Sequence, residues 1–303
     1  MKNKIKTVTV GISTHNEETT IIPLLNSLVT QNTSNYVLKT IFVALDGCNT
    51  KTKKLVTKFA AKHSIVRIID DGQRVGKAGR LNQIYELNTS DIIVIFDADV
   101  VLSDNHVIAK LVEKFNDKNV GLVGGYAIPM QPRNYFESII CTWLSMWNEI
   151  RVKINNGDTI HNNLGCVTAL SRELAKCVRL PNAIIPDDDY TYITAHKNKF
   201  KFRFAEDAIV YYRTVSNFSD FLIQHSRLIF SKRLVIEHFG KSARNYYKTP
   251  KALKNKVLVK SFLKSPVKTA LAILMQAIIR FGRFLPQETY SNGHWQVALS
   301  SKK

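Results

Sequence analysis

Hydrophobic and polar positions alternate in blocks along the first hundred residues, and the blocks predict strands and helices in turn. Short apolar runs at 7–13, 38–45, 65–69 and 92–96 are typical of strands that are buried on both faces. Between them, apolar residues recur at helical spacing within 18–29, 50–62 and 79–86. This alternation predicts an α/β fold with a mostly parallel sheet flanked by helices, in which ligands bind beyond the carboxyl ends of the strands.

From residue 100 onward the pattern becomes more helical. Residues 135–154 carry apolar side chains at helical spacing, which we interpret as a helix packed on the domain, with an interface or membrane helix as the alternative. No Gly/Ser/Pro linker divides the chain, and the segment after 215 is helical and basic. We therefore predict one α/β domain over 1–235, with halves at 1–99 and 100–235, followed by a basic helical tail at 236–303.

The last predicted helix, at 264–285, is amphipathic. Its polar stripe consists of Lys268, Thr269, Gln276, Arg280 and Arg283, and the opposite face carries Leu271, Leu274, Ile278, Phe281 and Leu285. This pattern is typical of a helix that lies in the membrane interface, although a helix docked on the protein's own core would show it too. We find no signal peptide and no apolar run of about 18 residues, the length that a spanning helix needs.

The net charge of the chain is strongly positive and unevenly distributed along the sequence. The chain has 43 Lys and Arg against 24 Asp and Glu, a net charge of +19. Residues 197–303 hold 21 of the basic and 5 of the acidic residues, which leaves a net +16 in that stretch. Such an excess favours an anionic partner: nucleic acid, an anionic lipid surface or a phosphorylated substrate.

Composition excludes two classes of protein. Hydrophobic residues make up 45% of the chain and charged residues 22%, which excludes a disordered protein. Four cysteines are too few for a disulfide-stapled fold, and none of them forms the C-x-x-C pair of a zinc site. We expect Cys48, Cys141, Cys166 and Cys177 to be reduced structural thiols.

Polar clusters follow four predicted strands. They are Ser13 to Glu18, Asp46 to Thr50, Gly76 to Asn82, and Asp97 to Asp99. Any one of them resembles a turn or a helix cap. Because four successive strands deliver such clusters to one edge of the sheet, the sequence predicts a binding site there.

The sharpest of these clusters is Asp97-Ala98-Asp99. Alternate side chains of an extended chain share a face, so both carboxylates can reach one cation. Mg²⁺ and Mn²⁺ prefer carboxylate and phosphate oxygens, and such an ion would neutralise a phosphate leaving group. The Gly76-Lys77 pair lacks the remainder of a phosphate loop, so we expect only that Lys77 or Arg80 contacts a phosphate.

The clusters of the first half resemble motifs of glycosyltransferase family 2, the inverting nucleotide-sugar-dependent enzymes of the GT-A fold. His15-Asn16-Glu17-Glu18 is similar to the YNEE motif, and Asp46-Gly47-Cys48-Asn49-Thr50 to DGSxD with Cys48 in place of Ser. Gly76-Lys77-Ala78 with Asn82 resembles the GK…LN segment, and Asp97-Ala98-Asp99 matches DxD. The resemblance extends over residues 7–235.

Three further motifs follow in the family's order. Asn163-Leu164-Gly165 resembles the glycine segment on the acceptor side, and Asp187-Asp188-Asp189 stands at the ED motif. Gln224 to Leu228 resembles QxxRW, with Leu228 where that motif has Trp. That motif accompanies polymerising synthases with several membrane helices, which this sequence lacks, so we do not expect processive synthesis.

The resemblance implies a role for each matched residue. Asp46 would bind the base of the donor, while Asp97 and Asp99 would hold the ribose, the diphosphate and the metal. Asp189 would be the general base, and the like charge of Asp188 would raise its pKa. The implied donor-binding set is His15, Asn16, Glu17, Asp46, Lys77, Asn82, Asp97, Asp99, Gln224 and Arg227. Asn163 and Gly165 would face the acceptor.

Together the motifs imply transfer of a hexosyl or N-acetylhexosaminyl group from a nucleotide-sugar, foremost a UDP-sugar, to a hydroxyl acceptor. We expect Mn²⁺ or Mg²⁺ as the cofactor, a lipid-linked or polysaccharide glycan as the acceptor, and no nucleic-acid partner. The expected location is cytoplasmic, peripheral on the inner face of the cell membrane. A nucleotidyltransferase acting on a sugar phosphate, a nucleic-acid-binding protein and a non-catalytic scaffold are the alternatives.

Overall fold

The structure is a computed structural model that describes residues 5–181, 186–281 and 299–302. These residues form two compact units. The first lies within Met1–Ile128 and Asn163–Tyr212, and the second within Pro129–Asn162 and Arg213–Lys303. The second unit thus takes in residues 129–162 as well as the C-terminal helices, and the functional boundaries at 99 and 235 stay predictions.

Parallel strands make up the first half of the sheet in the first unit. The strands are β1 (Lys6–Thr14), β2 (Tyr36–Leu45), β3 (Val66–Ile69) and β4 (Ile92–Asp97). The helices between them are α1 (Ile21–Val29), α2 (Thr50–Ala60) and α3 (Gly76–Leu87). Strand β1 pairs in parallel with β2 and β4, and β2 pairs in parallel with β3. The predicted alternation is confirmed, with every helix and strand end within three residues of the one expected; α3 begins three residues early, at Gly76.

The rest of the sheet is antiparallel. The chain continues through β5 (Val101–Leu102), α4 (Val107–Glu113) and β6 (Val120–Pro129), and then enters the second unit with α5 (Tyr135–Arg151). It returns through β7 (Val167–Ser171), α6 (Arg172–Cys177), α7 (Asp187–Lys197) and β8 (Lys201–Tyr212). Strand β7 is antiparallel to β4 and β6, and β5 to β8. The described strands follow the order β3-β2-β1-β4-β7-β6-β8-β5, so the α/β fold is as predicted but the parallel part ends at β4.

Close packing explains the apolar runs of the parallel strands. Val8, Val10 and Ile12 of β1 are fully buried. On the other face, a Cβ added to Gly11 would lie 2.6 Å from Ile84 of α3, so only glycine lets that helix approach the strand. The beginning of α3 is thereby held against the carboxyl edge of the sheet.

Helices dominate the second unit. After α5 come α8 (Phe218–Phe239), α9 (Lys251–Lys264) and α10 (Pro266–Phe281). Helix α5 contributes Ile139, Ile140, Met146 and Ile150 to the core, as expected for a packed helix. The predicted helix at 264–285 begins at Pro266 after a break at Ser265, and Arg283 and Leu285 lie outside the described residues. A search of the described helices finds none with the length and hydropathy required to cross a membrane.

Candidate active site

A buried carboxylate joins the end of β2 to the beginning of α3. Asp46 is only 5% exposed, and its Oδ1 accepts hydrogen bonds from the backbone N–H groups of Val75 (2.7 Å) and Gly76 (3.0 Å). The N-terminus of a helix stabilises negative charge, and Arg80 adds a further donor 3.4 Å away. Asp46, predicted to bind the base of the donor, is therefore held in one position before any ligand arrives.

Arg80 holds the segment before α3 in place by further contacts. Its guanidinium is fully buried and binds Asp71 through two nitrogens, at 2.7 and 3.0 Å. It also donates to the carbonyl of Gln73. The hydrogen bonds from Arg80 are the main cause of a lowered pKa of the Asp71 carboxyl. The sequence offered Lys77 or Arg80 as a phosphate contact, and Arg80 is the unsuitable one of the two, because its buried guanidinium is already paired with two carboxylates.

The motif after β1 is tied to the loop after β2. His15 Nδ1 lies 2.6 Å from the carbonyl of Asp46, and Asn16 Oδ1 accepts the N–H of Asn49 at 2.7 Å. Asn16 has a φ of +57°, a left-handed conformation that asparagine tolerates better than most residues. Glu17 is buried and accepts a hydrogen bond from Thr20. The structure thus brings His15, Asn16 and Asp46 together at the carboxyl edge of the sheet.

One lysine bridges two acidic motifs. Lys77 Nζ, from the first turn of α3, lies 2.7 Å from Asp97 Oδ1 at the end of β4. It also lies 3.1 Å from Asp187 Oδ1 at the beginning of α7. Burial opposes the charge of the lysine, but Asp187 and Asp97 outweigh that effect and raise its pKa well above the usual value. The DxD and ED motifs, ninety residues apart in sequence, therefore share one ammonium group.

Burial raises the pKa of two of the three acidic residues at the beginning of α7. Asp187 is 7% exposed, and burial, with Asp188 and Asp97 adding to it against Lys77, raises its pKa to about 6. The pKa of Asp188 is also raised, mainly by burial. Its carboxylate accepts the N–H of Gly165 at 3.1 Å and that of Asp189 at 2.9 Å.

The predicted acceptor segment lies against these residues. Asn163 Nδ2 donates to the backbone carbonyl of Asp188 at 2.7 Å, and its Oδ1 accepts the hydroxyl of Thr168. A Cβ added to Gly165 would lie 2.9 Å from Lys77 Nζ, so the glycine makes room for the ammonium. Asn163 and Gly165 therefore belong to the same cluster as Lys77 and Asp188.

Asp99 lies near the same cluster, two residues beyond Asp97. Burial raises the pKa of the Cys166 thiol well above its usual value, and Asp97 and Asp99 add to the effect. Nowhere in residues 5–181, 186–281 and 299–302 do three or more His, Cys, Asp or Glu side chains form a group that could hold a metal ion. The oxygens of Asp97 and Asp99 suit Mn²⁺ or Mg²⁺, but a ligand's own oxygens would have to complete the coordination shell.

The remaining predicted residues take other places. Asn82 exchanges two hydrogen bonds with the backbone of Leu180, at 2.8 and 2.9 Å, so its amide anchors the chain after α6. Asp189 follows Asp188 within the first turn of α7. Gln224 and Arg227 belong to the second unit, on α8, where Arg227 is exposed.

Sequence reasoning missed two members of the cluster. Asp187 stood in the quoted acidic run but was given no role, although it is the residue of that run that pairs with Lys77. The signal was available, since a carboxylate beside two others needs a cation when it is buried. Thr168, which holds Asn163, has no signal in the sequence because it is one polar residue within an apolar strand. Its position depends on the register between β7 and its neighbours.

Comparison with known proteins places this geometry in a family. The sequence profile of the family described as Glycosyl transferase family 2 matches residues 9–179. The glycosyltransferase AglD of Haloferax volcanii is 31% identical over 74 residues, which are 24% of this chain and 12% of that protein. The beta-monoglucosyldiacylglycerol synthase of Trichormus variabilis is 25% identical over 125 residues, 41% of this chain and 26% of that protein. The matched segments are thus small parts of both relatives.

Two solved structures are similar in fold. Mannosyltransferase PcManGT from Pyrobaculum calidifontis, solved with GDP-Man and Mn²⁺, is 22% identical with a TM-score of 0.59 and covers 92% of this chain and 77% of its own. TarS 1–349 from S. aureus is 16% identical with a TM-score of 0.53 and covers 85% of this chain and 70% of its own. The family profile, which extends from β1 to just beyond α6, spans more than half of the 303 residues, and the chain therefore belongs to glycosyltransferase family 2.

Proposed function

We propose that this protein transfers a sugar from a nucleotide-sugar donor to a hydroxyl acceptor, with a divalent metal and an aspartate general base. The observation that carries the proposal is the pair of contacts by which Lys77 joins Asp97 to Asp187. They bring the carboxylates expected to hold the donor diphosphate next to those expected to act on the acceptor. An in-line displacement at the anomeric carbon requires that proximity.

The donor would bind along the carboxyl edge of the sheet. Asp46 and His15, fixed to one another and to α3, would contact the base. Asp97 and Asp99 would hold the ribose and the diphosphate through the metal, which, when bound, neutralises charge that develops on the departing phosphate. Lys77 would stay near that phosphate, because its ammonium already lies 2.7 Å from Asp97. Mn²⁺ is supported by its presence in the Pyrobaculum mannosyltransferase complex.

For the general base we propose Asp188 in place of the predicted Asp189. A base needs a fixed position and a pKa above that of an ordinary carboxylate. Two backbone N–H groups hold the Asp188 carboxylate, and burial raises its pKa. Asp187 is the less suitable neighbour because Lys77 binds it directly.

Turnover in two variants tests this assignment. Asp188→Asn retains the shape and the oxygen that accepts the Gly165 N–H, so we expect donor affinity to be unchanged. We expect turnover to fall about 10²- to 10⁴-fold, the usual contribution of general base catalysis. Asp189→Asn is the matched control and should retain most of the activity. The reverse order of effects would restore Asp189 as the base.

The donor and the acceptor are the finer parts of the proposal. We propose a UDP-sugar with a hexosyl or N-acetylhexosaminyl group, and GDP-sugars are the comparison to include, since the Pyrobaculum enzyme was solved with GDP-Man. A lipid-linked or polysaccharide acceptor fits the basic second unit. One relative, by its name, makes a glucosyl diacylglycerol. We further propose peripheral attachment at the cytoplasmic face of the membrane. No contact in the site favours nucleotidyl transfer or nucleic-acid binding.

A further inference from the structure

Helices α9 and α10 both carry apolar residues on their outer faces. On α9, Val259 is 60% exposed, Phe262 37% and Leu263 84%. On α10, Val267 is 62% exposed, Leu274 55% and Ile278 40%. Within each helix the residues recur at spacings of one, three, four or seven, so each set forms a stripe along one side.

These outer stripes are not needed by the core of the unit. Helix α9 buries Val257, and α10 buries Ala272, Met275 and Ile279, in clusters with residues of α5. The inner faces are thus already packed. Leu274 and Ile278, which the sequence assigned to a single apolar face with Leu271, are exposed, while Leu271 packs against the core. Isolated exposed leucines are ordinary, but two stripes on adjoining helices indicate an interaction surface.

A buried threonine fixes the corner at which the two helices meet. Thr269 is fully buried, and its hydroxyl lies 2.8 Å from the hydroxyl of Ser261 and 3.1 Å from its carbonyl. These contacts cross the break at Ser265, so Leu263 and Val267 lie on either side of a corner held by hydrogen bonds.

The charged residues of the two helices that carry the stripes are all basic. Residues 251–281 contain seven Lys or Arg and no Asp or Glu. Lys260 is partly neutralised by Glu149 at 3.0 Å, but Lys256 and Lys264 are exposed. A second copy of the chain on this face would bring the same positive charges together in a symmetric dimer. An anionic bilayer instead offers hydrocarbon to the stripes and negative head groups to the lysines.

We propose that the α9–α10 corner, residues 259–278, is a membrane-binding surface that inserts Leu263 and Val267 into the interface of an anionic phospholipid bilayer. The proposal rests on the peripheral attachment proposed above and specifies its surface. The inserting element is the corner shared by two helices, whereas the sequence pattern indicated a single helix, either in the membrane interface or docked on the core. The inner faces of α9 and α10 stay packed on α5 when the outer stripes enter the lipid.

Vesicle flotation of the full chain tests the proposal. We expect the protein to float with vesicles of phosphatidylcholine and phosphatidylglycerol, to bind phosphatidylcholine alone weakly, and to be released by salt. Leu263→Asp and Val267→Asp should each lower partitioning at least about tenfold, because they place a charge in the interface. Leu87→Asp, a change of another exposed apolar residue, on α3, should have no effect.

Three results would contradict the proposed membrane-binding surface. They are no flotation of the wild type with anionic vesicles, flotation that neither corner variant reduces, and dimers in light scattering that only the corner variants dissociate. Thermal shifts with nucleotide-sugars are measured in parallel on every variant. Donor binding that is retained while flotation is lost assigns the effect to the corner. Absence of donor binding in the wild type would count against the proposed chemistry, while the flotation result would still test the membrane-binding surface.

Discussion

Lys77 is the residue on which the geometry of the site depends most. Its ammonium is the cation that the structure places between Asp97 and Asp187, and Asp187 is almost fully buried. A buried carboxylate that loses its cation is left with uncompensated charge, which costs more than a surface pair would. The cost is limited here because the Lys77 side chain is 34% exposed, so water screens part of the interaction.

We expect Lys77→Met to lower the free energy of unfolding by about 1–3 kcal/mol, measured by urea denaturation. Lys53→Met is the matched control, since Lys53 has the same 34% exposure but pairs with the surface residue Asp70. The control should lose less than about 1 kcal/mol. Equal losses in the two variants would show that the bridge from α3 to α7 has no special weight.

Two histidines of the second unit make stability depend on pH. Burial lowers the pKa of His161 and of His225 from 6.5 to about 4. At these two positions the unfolded chain therefore binds more protons than the native state between those values, so the histidines' contribution to stability is full above 6.5 and is lost as the pH drops towards 4. Each pH unit in that window costs up to about 1.4 kcal/mol per histidine.

As the pH is lowered through this window, we expect the wild type to lose more stability than His161→Gln and His225→Gln do, which melting temperatures measure. The comparison uses the slope with pH, since either change also alters packing at neutral pH. His161 contacts Trp147, and His225 lies against Phe221. A slope identical to that of the wild type in both variants would contradict the assignment of buried neutral imidazoles.

The order of motifs in the sequence selected several side chains that the fold brings into one cluster, and their roles stay predictions. Asp97, Lys77, Gly165 and Asp188 are brought together as the resemblance implied. The sequence did not indicate which aspartate of three takes which role, because that depends on the rotation of the first turn of α7. Nor could it show that Arg80 is buried, since Lys77 and Arg80 differ in direction only once α3 is packed on β1.

At the level of elements, α3 is the helix that holds residues of the proposed donor site in place. Asp46 caps its N-terminus, Arg80 connects it to Asp71, and Asn82 anchors Leu180. Contacts of this one helix therefore hold three separate segments in place, namely those that follow β2, β3 and α6. The capping arrangement follows from the positive end of the helix dipole meeting the carboxylate at the end of β2.

We expect Arg80→Met to lower the free energy of unfolding by about 3–5 kcal/mol, because it leaves Asp46 buried without its guanidinium partner. Arg74→Met, in the loop before α3, provides the control, since Arg74 is exposed and the change should cost no more than about 0.5 kcal/mol. Chemical denaturation of both proteins measures the difference. A small effect in Arg80→Met would mean that the backbone N–H groups of Val75 and Gly76 suffice to hold Asp46.

The strands and helices of the first hundred residues could be predicted because each has a clear period. The antiparallel half could not, since β5 is two residues long and β6 is separated from β7 by a segment that belongs to another unit. The break between α9 and α10 had a signal that was not used. Proline is favoured in the first turn of a helix, and Pro266 begins α10.

At the scale of the whole molecule, the two compact units contain different groups of the predicted site residues. The first contains the acidic cluster and the loops from β1, β2 and β4, whereas the second carries Gln224, Arg227 and the basic helices. The positive charge that dominates the composition is therefore concentrated in the second unit, whereas the acidic cluster belongs to the first. Charge alone suggested nucleic acid as one partner, and it is the apolar stripes among the lysines that favour lipid instead.

Calorimetric titration of the protein with UDP- and GDP-sugars, with and without Mn²⁺, tests the central claim most directly. We predict that one nucleotide class binds, that binding requires the metal, and that Asp99→Asn weakens it at least about tenfold, as expected for loss of a charged ligand to the ion. Asp188→Asn should bind the same donor with wild-type affinity. Binding that is unaffected by Mn²⁺ and by Asp99→Asn, or no binding of either donor class, would contradict the account.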